Sequence, residues 1–502
     1  MYNSIRMFYA NGGGACYIFA VNTYGDAADI EVNLGDFTDP RMFDQLEKEY
    51  EPTLVVMPDL IELGAEAYNA YALVLAHCEK VQSRFAILDL AQRTQDNSDA
   101  MDLVVTEFRE QIGINALKYG AAYYPWLKTS IVQSSEVSLD NMVITPNIET
   151  FLPEKDAQNA IAKFKREYNP GAYSRLFVDS DAELNKKGKD YDDALAAFTK
   201  DAKPATETAL NSALKAFNDY ALTLPPISAQ SIADTKAKAK ENLVAAQKAF
   251  DAADDAGKAK AKPALDAAID RLKAIEGATP YQVKDSYYKA LKAVSPTYVA
   301  LLDKVRGKLN EVPPSGAMAG IYSMVDSTRG VWKAPANVSV AMVSEPSVNV
   351  SHVEQEKLNV DVIAGKSINV IRAFPGIGTL VWGGSTLDGN SLDWRYINVR
   401  RTLIMIEQSL KLATRAYVFE PNDANTWVTV KSMIINFLTN LWKQGALAGA
   451  APEQAFDVQI GLGATMTPTD VLEGKMLISV KVAVVRPAEF IVITFEQQLQ
   501  QS

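Results

Sequence analysis

Residues 54–89 read LVVMPDLIELGAEAYNAYALVLAHCEKVQSRFAILD, and this stretch decides the fold. Leu54-Val55-Val56-Met57 is a short apolar run halted by Pro58, which predicts a buried strand. From Ala65 to Val81 the apolar positions recur at helical spacing and predict an amphipathic helix. Phe85-Ala86-Ile87-Leu88 predicts the next strand. A strand, a helix and a second strand in this order form the parallel crossover unit, whose sheet is covered by helices.

The same rhythm extends in both directions. Ile5, Phe8 and Tyr9 share one helical face, and Asn11-Gly12-Gly13-Gly14 stops that helix. Cys16 to Val21 predicts a buried strand. Thr38, Asp39 and Pro40 stand in N-cap and first-turn order before a helix over Arg41–Tyr50. Ser98 to Gly113 predicts a further helix, and Ala121 to Pro125 begins another strand. Asp59 and Asp89 fall just past strand ends, the ligand-binding edge of a doubly wound sheet. They read either as a catalytic or metal-binding carboxylate pair or as caps of the following helices. No His or nucleophile motif stands beside them, which favours the caps. The three glycines follow a helix and precede a strand, the reverse of the nucleotide-binding order, so a tight connection is expected there.

Composition excludes several classes of function. The chain has 502 residues, 48% apolar and 22% charged, which is ordinary for a folded chain of several domains. A net charge of −11 argues against a nucleic-acid partner, which needs clustered Lys and Arg. Two His (His77, His352) and two Cys (Cys16, Cys78) cannot build a common four-ligand zinc site without carboxylates, and leave little room for His acid–base chemistry. One disulfide at most is possible, so a reducing compartment is the default. Residues 1–25 lack the order of a secretory signal. No window reaches the ~18 apolar residues of a membrane span, so no membrane insertion is expected. Ala364-Gly365-Lys366-Ser367 ends like a phosphate-binding loop, but Val360 stands where that motif needs glycine, and a strand rather than a helix follows. No cofactor is expected.

Near residue 180 the composition changes to Ala, Lys and Asp. Tyr191, Leu195 and Phe198 mark one helix, and Leu210, Leu214 and Phe217 another, before Leu224-Pro225-Pro226 breaks the run. Leu243, Ala246 and Phe250 lie on one helical face, as do Leu265, Ile269, Leu272 and Ile275, with Asp254-Asp255-Ala256-Gly257 as a hairpin turn between them. The sparse apolar stripes suit an outward-facing bundle, either plain decoration or a partner-binding module. After Pro313 strong patterns return. Gly316 to Asp326 is helical, Ile368 to Ile371 a strand, and Val399, Leu403, Ile406 and Leu410 one helical face. Trp427, Val430, Ile434, Phe437, Leu438, Leu441 and Trp442 form a 3.6-residue stripe. Met476 to Val484 and Phe490 to Phe495 predict closing strands. The expected fold class is α/β (α+β): a mixed-sheet core with flanking helices, discontinuous in sequence, plus an inserted, mainly helical domain. Residues 1–135 and 313–502 would form the core, and residues 136–312 the insertion.

Several runs, in order, resemble the contractile tail sheath family of phages and extracellular contractile injection systems. They are Gly316–Asn337, Ile368–Trp382 with its Arg372-Ala373-Phe374-Pro375-Gly376, Trp394-Arg395-Tyr396-Ile397-Asn398-Val399-Arg400-Arg401, Phe419-Glu420-Pro421-Asn422-Asp423, Asn436-Phe437-Leu438 to Ala455-Phe456, and Val485-Arg486-Pro487-Ala488-Glu489-Phe490. Arg6 to Tyr24 resembles the family's early α/β region. Segment 180–310 carries no run that resembles the family, whose members vary there. Such sheaths usually begin with an extended arm before the helix matching Ile5–Tyr9, and this sequence starts almost at that helix, which bears on the N-terminal half of the usual strand exchange.

The resemblance implies a structural, non-enzymatic subunit that polymerises around an inner tube and contracts to drive the tube through a target envelope, using stored conformational energy and no nucleotide. It implies a homo-oligomeric sheath with tube, baseplate and cap proteins as partners, assembled in a bacterial or phage-infected cytoplasm and ending in a virion or released tail-like particle. Glu489, Phe490, Ile491, Val492, Ile493, Thr494 and Phe495 are the candidate inter-subunit strand, because a free apolar strand near a chain end is an aggregation hazard unless it adds to a sheet. Lys443, Glu453 and Gln454, between Trp442 and Phe456, are the candidate tube contacts. The competing readings are an α/β hydrolase-like enzyme using Asp59 and Asp89, against which no Gly-x-Ser-x-Gly elbow is found, and a monomeric surface or adhesive module.

Overall fold

The computed structural model describes residues 1–489 except 24–31, 93–97, 140–141, 143–147, 149–150, 168–169, 179, 226, 279–282, 360, 362 and 364. Two compact units divide the chain: Met1–Val143 with Asp303–Ser502, and Ile144–Leu302. The first part of the discontinuous unit carries α1 (Tyr2–Ala10), α2 (Leu34–Thr38), α3 (Pro40–Leu46), β1 (Leu54–Val56), α4 (Ala67–Val81), β2 (Phe85–Asp89), α5 (Ser98–Gln111), β3 (Gly120–Tyr124) and β4 (Leu127–Thr129). The helical unit carries α6 (Lys155–Glu167), α7 (Pro170–Phe177), α8 (Ala182–Lys200), α9 (Pro204–Thr223), α10 (Ala229–Asp251), α11 (Asp255–Gly277) and α12 (Val283–Val294), and α13 (Pro296–Leu309) follows in the chain. Next come β5 (Glu311–Val312), α14 (Ser315–Arg329), β6 (Val338–Ser339), β7 (Val343–Pro346), α15 (His352–Asn359), β8 (Ile368–Phe374) and β9 (Gly378–Trp382). The chain continues through α16 (Ile397–Thr414), α17 (Ala424–Lys443), α18 (Pro452–Ala455), β10 (Phe456–Ile460), α19 (Pro468–Leu472) and β11 (Ile478–Val482).

The fold class is mixed α/β, as the pattern implied. The main sheet has six strands in the order β1-β2-β3-β8-β9-β6. Its first four are parallel, and β9 and β6 are antiparallel additions. Every residue of β2 and β3 is buried, so both faces are covered. Ala86, Leu88, Ala122, Tyr124, Ile368 and Val370 pack with Tyr68, Val74 and Leu75 of α4 and Val104 and Phe108 of α5. On the opposite face Phe85 and Tyr123 meet the ring of Tyr322 from α14, and the Tyr123 and Tyr322 hydroxyls are hydrogen-bonded at 2.8 Å. The period-2 alternation of a strand produces this division.

Helix α14 lies unusually close to α1. A Cβ on Gly316 would stand 2.5 Å from the Ser4 carbonyl oxygen, and one on Gly320 would stand 2.3 Å from that of Phe8. Glycines one helical turn apart therefore let two backbones touch. The N-terminus of α14 is capped from β2. Asp89 Oδ1 accepts from the Ser315 N–H at 2.8 Å, and Oδ2 accepts from the Ser315 hydroxyl. Asp89 is thus a helix cap, but of a helix 226 residues later rather than of the next one. At 1% exposure its carboxyl is desolvated, which pushes its pKa up to about 7 against the pull of the Ser315 bonds. Asp59 pairs with the amino group of Met1 and makes no side-chain cap bond to the turn that follows it.

Other expectations meet the structure directly. Asp39 caps α3 by accepting from Arg41 N, but that helix ends at Leu46, short of Tyr50. The helix expected from Ala65 begins at Ala67, after a tighter turn over Leu60–Glu66 kinked at Gly64. Gly12 and Gly13 close α1, with Gly13 N donating to Phe8 O at 2.9 Å. The buried strand expected over Cys16–Val21 is not formed. That segment has no ladder partner among the described residues, and Tyr17 and Ile18 are 59% and 61% exposed. Apolar content fixed neither its burial nor its pairing, because no neighbouring strand lies against it. Lys366 is buried, with its ammonium on the Arg109 carbonyl, while the Ser367 hydroxyl donates to Asn359 O at 2.6 Å, so both end groups of the Gly-Lys-Ser run are spent on the chain itself.

In the helical unit, Asp254 caps α11 by accepting from Gly257 N at 2.8 Å, which makes the α10–α11 connection a capped hairpin. Leu184, Phe217 and Ala221 form the small core of α8 and α9.

Replacing Gly320 by Ala is expected to destabilise the chain by at least about 1–3 kcal/mol, because the new methyl meets a main-chain oxygen rather than a movable side chain; chemical denaturation measures it. A second expectation concerns pH. The folded-state pKa of Asp89 lies above its unfolded value near 3.8, so its contribution to stability is complete below that value and is lost as pH rises through about 7. The melting temperature of the wild type minus that of Asp89→Asn should therefore fall between pH 4 and pH 8; a constant difference would refute the assignment.

Candidate assembly interface

Residues 422–485 build a platform within the discontinuous unit. Asp423 opens α17 by accepting from Thr426 N at 3.0 Å. Asn422 accepts from Trp427 Nε1 at 2.7 Å and donates to Lys475 O at 3.0 Å, tying the start of α17 to the segment before β11. The apolar stripe of α17 then does what its period implies. Val430, Ile434, Leu438 and Leu441 are buried, with Trp442 and Phe437 packed at the margin. Gly445, with φ of 85°, turns the chain back after α17, a conformation that suits glycine.

Against that stripe lies an antiparallel pair, β10 with β11, in the register Phe456–Val482, Val458–Val480 and Ile460–Ile478. These six side chains share one face and pack with the α17 stripe. Asp457, Gln459 and Lys481 point the other way and are exposed. Past β11 the ladder continues: Ala483 N donates to Ala455 O at 2.8 Å, Ala448 N donates to Ala483 O at 2.7 Å, and Val485 N donates to Ala446 O at 3.2 Å. Residues 446–448 thus extend the line of β10 along the same side of β11. Since Ala483 and Val485 bond inward, the even-numbered residues 478, 480, 482 and 484 turn their main-chain groups to the other edge. Among the described residues neither outer edge of this two-stranded sheet has a ladder partner.

Of the sequence-derived sites, Lys443, Glu453 and Gln454 fall on or beside this platform. Lys443 is the exposed last residue of α17, and Glu453 and Gln454 are exposed on α18. Gln454 accepts from Ala450 N at 3.1 Å, and Trp442 Nε1 donates to Gly449 O at 3.0 Å, so the 442–455 turn is held by its own side chains. Glu489 accepts from the Tyr396 hydroxyl of its own chain at 3.2 Å. Phe490, Ile491, Val492, Ile493, Thr494 and Phe495 lie outside the described residues. The expected strand over Met476–Val484 is β11, somewhat shorter. Strand β10 was not anticipated, although Phe456, Val458 and Ile460 carry a legible alternation. Neither was Phe419, which is fully exposed with φ of 73°, an uncommon conformation for an aromatic residue. The Asp59 and Asp89 carboxylates are occupied by the amino terminus and by Ser315. Among the described residues no cluster of His, Cys, Asp and Glu is placed to hold a metal, and no helix is long and apolar enough to cross a membrane.

Residues 390–498, which contain this platform, match the family model for the phage tail sheath C-terminal domain. The tail sheath protein of Vibrio phage KVP40 is 25% identical over 230 residues, 46% of this chain and 31% of that protein, so the chain spans under a third of its length in the match. Two solved assemblies share the fold over 99% of this chain, each with a TM-score of 0.51. One is the anti-feeding prophage helical sheath in its contracted state, 23% identical with 82% of that chain covered. The other is the anti-feeding prophage baseplate, 24% identical with 80% covered. The chain is therefore similar to contractile sheath proteins, in agreement with the resemblance read from its motifs.

Leu438, fully buried between α17 and the hairpin, is the sensitive point of the platform. Leu438→Ala is expected to cost about 2–5 kcal/mol. Hydrogen exchange should show the loss concentrated in α17, β10 and β11, with β2 and β3 still protected.

Proposed function

We propose that this chain is a structural subunit of a contractile sheath. Subunits polymerise around an inner tube, and relaxation from a metastable extended lattice to a contracted one drives the tube through a target envelope. The observation that carries this reading is the β10–β11 platform: a two-stranded sheet with no ladder partner on either edge among the described residues, inside the segment that matches the tail sheath C-terminal domain. A two-stranded sheet gains most by acquiring further strands, and residues 490–495, FIVITF, supply a suitable apolar strand in the sequence. In this reading the strand of one subunit adds to the platform of a neighbour.

The chain carries no phosphate-binding loop in its sequence, and its Gly-Lys-Ser run is spent on internal bonds at Lys366 and Ser367. The work of contraction would then come from conformational energy, with subunits rotating as rigid bodies about strand links. Roughly a few kcal/mol per subunit, summed over many subunits, suffices. Lys443, Glu453 and Gln454, exposed where α17 and α18 meet, are the proposed tube contacts. The further partners are baseplate and cap proteins, and the assembled product is part of a virion or of a phage tail-like particle formed in the producing cell's cytoplasm.

Deletion of Glu489–Ser502 tests the strand link. Negative-stain micrographs of the full chain should contain rods or cogwheel tubes, and those of the deletion only single particles. Intact tubes from the deleted chain would sink the strand-addition reading.

A further inference from the structure

The chain just before residue 490 is held at more points than the hairpin needs. Val485 donates to Ala446 O, and its own carbonyl accepts from Asn398 Nδ2 at 3.0 Å. The same amide nitrogen donates to Trp332 O at 2.9 Å. Asn398 is the second residue of α16 and is 2% exposed. One residue after Val485, Arg486 faces Asp393 at 3.6 Å. Glu489 then accepts from the hydroxyl of Tyr396, the residue that caps α16. Three attachments thus join residues 485–489 to residues 393–398, and Pro487 restricts the backbone between them. A leucine could fill the volume of Asn398 without desolvating an amide. What asparagine adds is a pair of donors aimed at two main-chain carbonyls, 66 and 87 residues away.

We propose that Asn398 and Tyr396 are positioning residues for the C-terminal arm: they fix its root at residues 485–489, so that the chain leaves each subunit at Glu489 along one path. The inference rests on the sheath reading above. Its physical content is the slack it removes. Residues 485–489, if unattached, would lengthen the link between subunits by up to ~17 Å at about 3.3 Å per residue. A lattice joined by a link that loose would have no defined rise or twist. Glu489 is on this view the last residue of the root rather than the first of the exchanged strand.

The test uses the full chain, the single variants Tyr396→Phe, Glu489→Ala, Glu489→Gln and Asn398→Leu, and the double variant Tyr396→Phe with Glu489→Ala. Melting temperature and amide exchange over residues 483–489 are measured on the monomer, and the spread of helical rise and twist on the polymers by electron microscopy. Tyr396→Phe and Glu489→Ala should leave the melting temperature unchanged, raise exchange over 483–489 about fivefold and broaden the lattice, with the double variant no worse than either. Glu489→Gln keeps an acceptor oxygen and should behave like the wild type. Asn398→Leu should broaden the lattice further. Wild-type lattice order in Tyr396→Phe and Asn398→Leu overturns the proposal, as does disorder that merely tracks a falling melting temperature. If the wild type forms no polymer, the sheath reading fails, and the exchange data then decide the root alone: unchanged protection in Tyr396→Phe and Asn398→Leu rejects it.

Discussion

The parallel pairing of β3 with β8 holds the discontinuous unit together. Ala122–Ile368, Tyr123–Asn369 and Tyr124–Val370 are its three register pairs, and they join segments almost 250 residues apart. Asn369 reinforces the seam from a fully buried position. Its amide donates to Ala122 O at 3.1 Å and to Ser385 O at 2.7 Å, and its oxygen accepts from Ser385 N at 2.8 Å. With both amide hydrogens and its oxygen bonded to the backbone, the side chain welds β3, β8 and the segment after β9. Parallel strands need a long crossover in any case, and loop-closure entropy rises only logarithmically with length. A separately compact helical unit within that crossover therefore costs the sheet little.

Helix α16 transmits the same constraint to the C-terminal platform. Arg400 is buried with its guanidinium 4.6 Å from the Tyr119 ring centre and 4.9 Å from that of Trp394, and it donates to the Tyr119 hydroxyl at 3.1 Å. Arg401 grips the Asp326 carboxylate with both terminal nitrogens and lies over Tyr322. Neighbouring arginines thus tie α16 to the start of β3 and to α14. A planar, always charged fork that stacks on aromatic rings suits this double duty, and lysine would not replace it. Both arginines belong to the Trp394–Arg401 run whose resemblance to sheath proteins is plain in the sequence.

Strands flanked by strong punctuation were legible: β1 before Pro58, β2 as an uninterrupted apolar run, and α17 by its stripe. The cap at Asp39 was legible because its partner is local, while Asp254 and Asp423 were legible only as parts of the turns before their helices, where they prove to be caps. Asp89 was legible as a cap but not as the cap of α14, since nothing local encodes a partner 226 residues away. The segment at Cys16 was misread because apolar content alone does not supply a neighbouring strand. Strand β10 escaped because Asp457 and Gln459 dilute a five-residue run into something that looks like the end of a helix. The platform itself, as an arrangement, depends on the pairing of 456–460 with 478–482, which no single-segment pattern contains.

The distribution of tight and open contacts limits how an assembly of this chain can change shape. The body is joined by backbone contact between α1 and α14, by the Asn369 weld and by stacked arginines, and packed interiors do not deform continuously. Among the described residues, the outer edges of β10 and β11 carry no ladder partner. Subunits that each carry a charge of −11 repel one another, so a polymer needs joints that do not depend on opposite charge. A main-chain ladder meets that need, because its hydrogen bonds are indifferent to side-chain charge and survive rotation of the bodies they connect. Residues 485–489 stand between the rigid body and any such ladder. In the assembly proposed above, motion between subunits would pass through that short root.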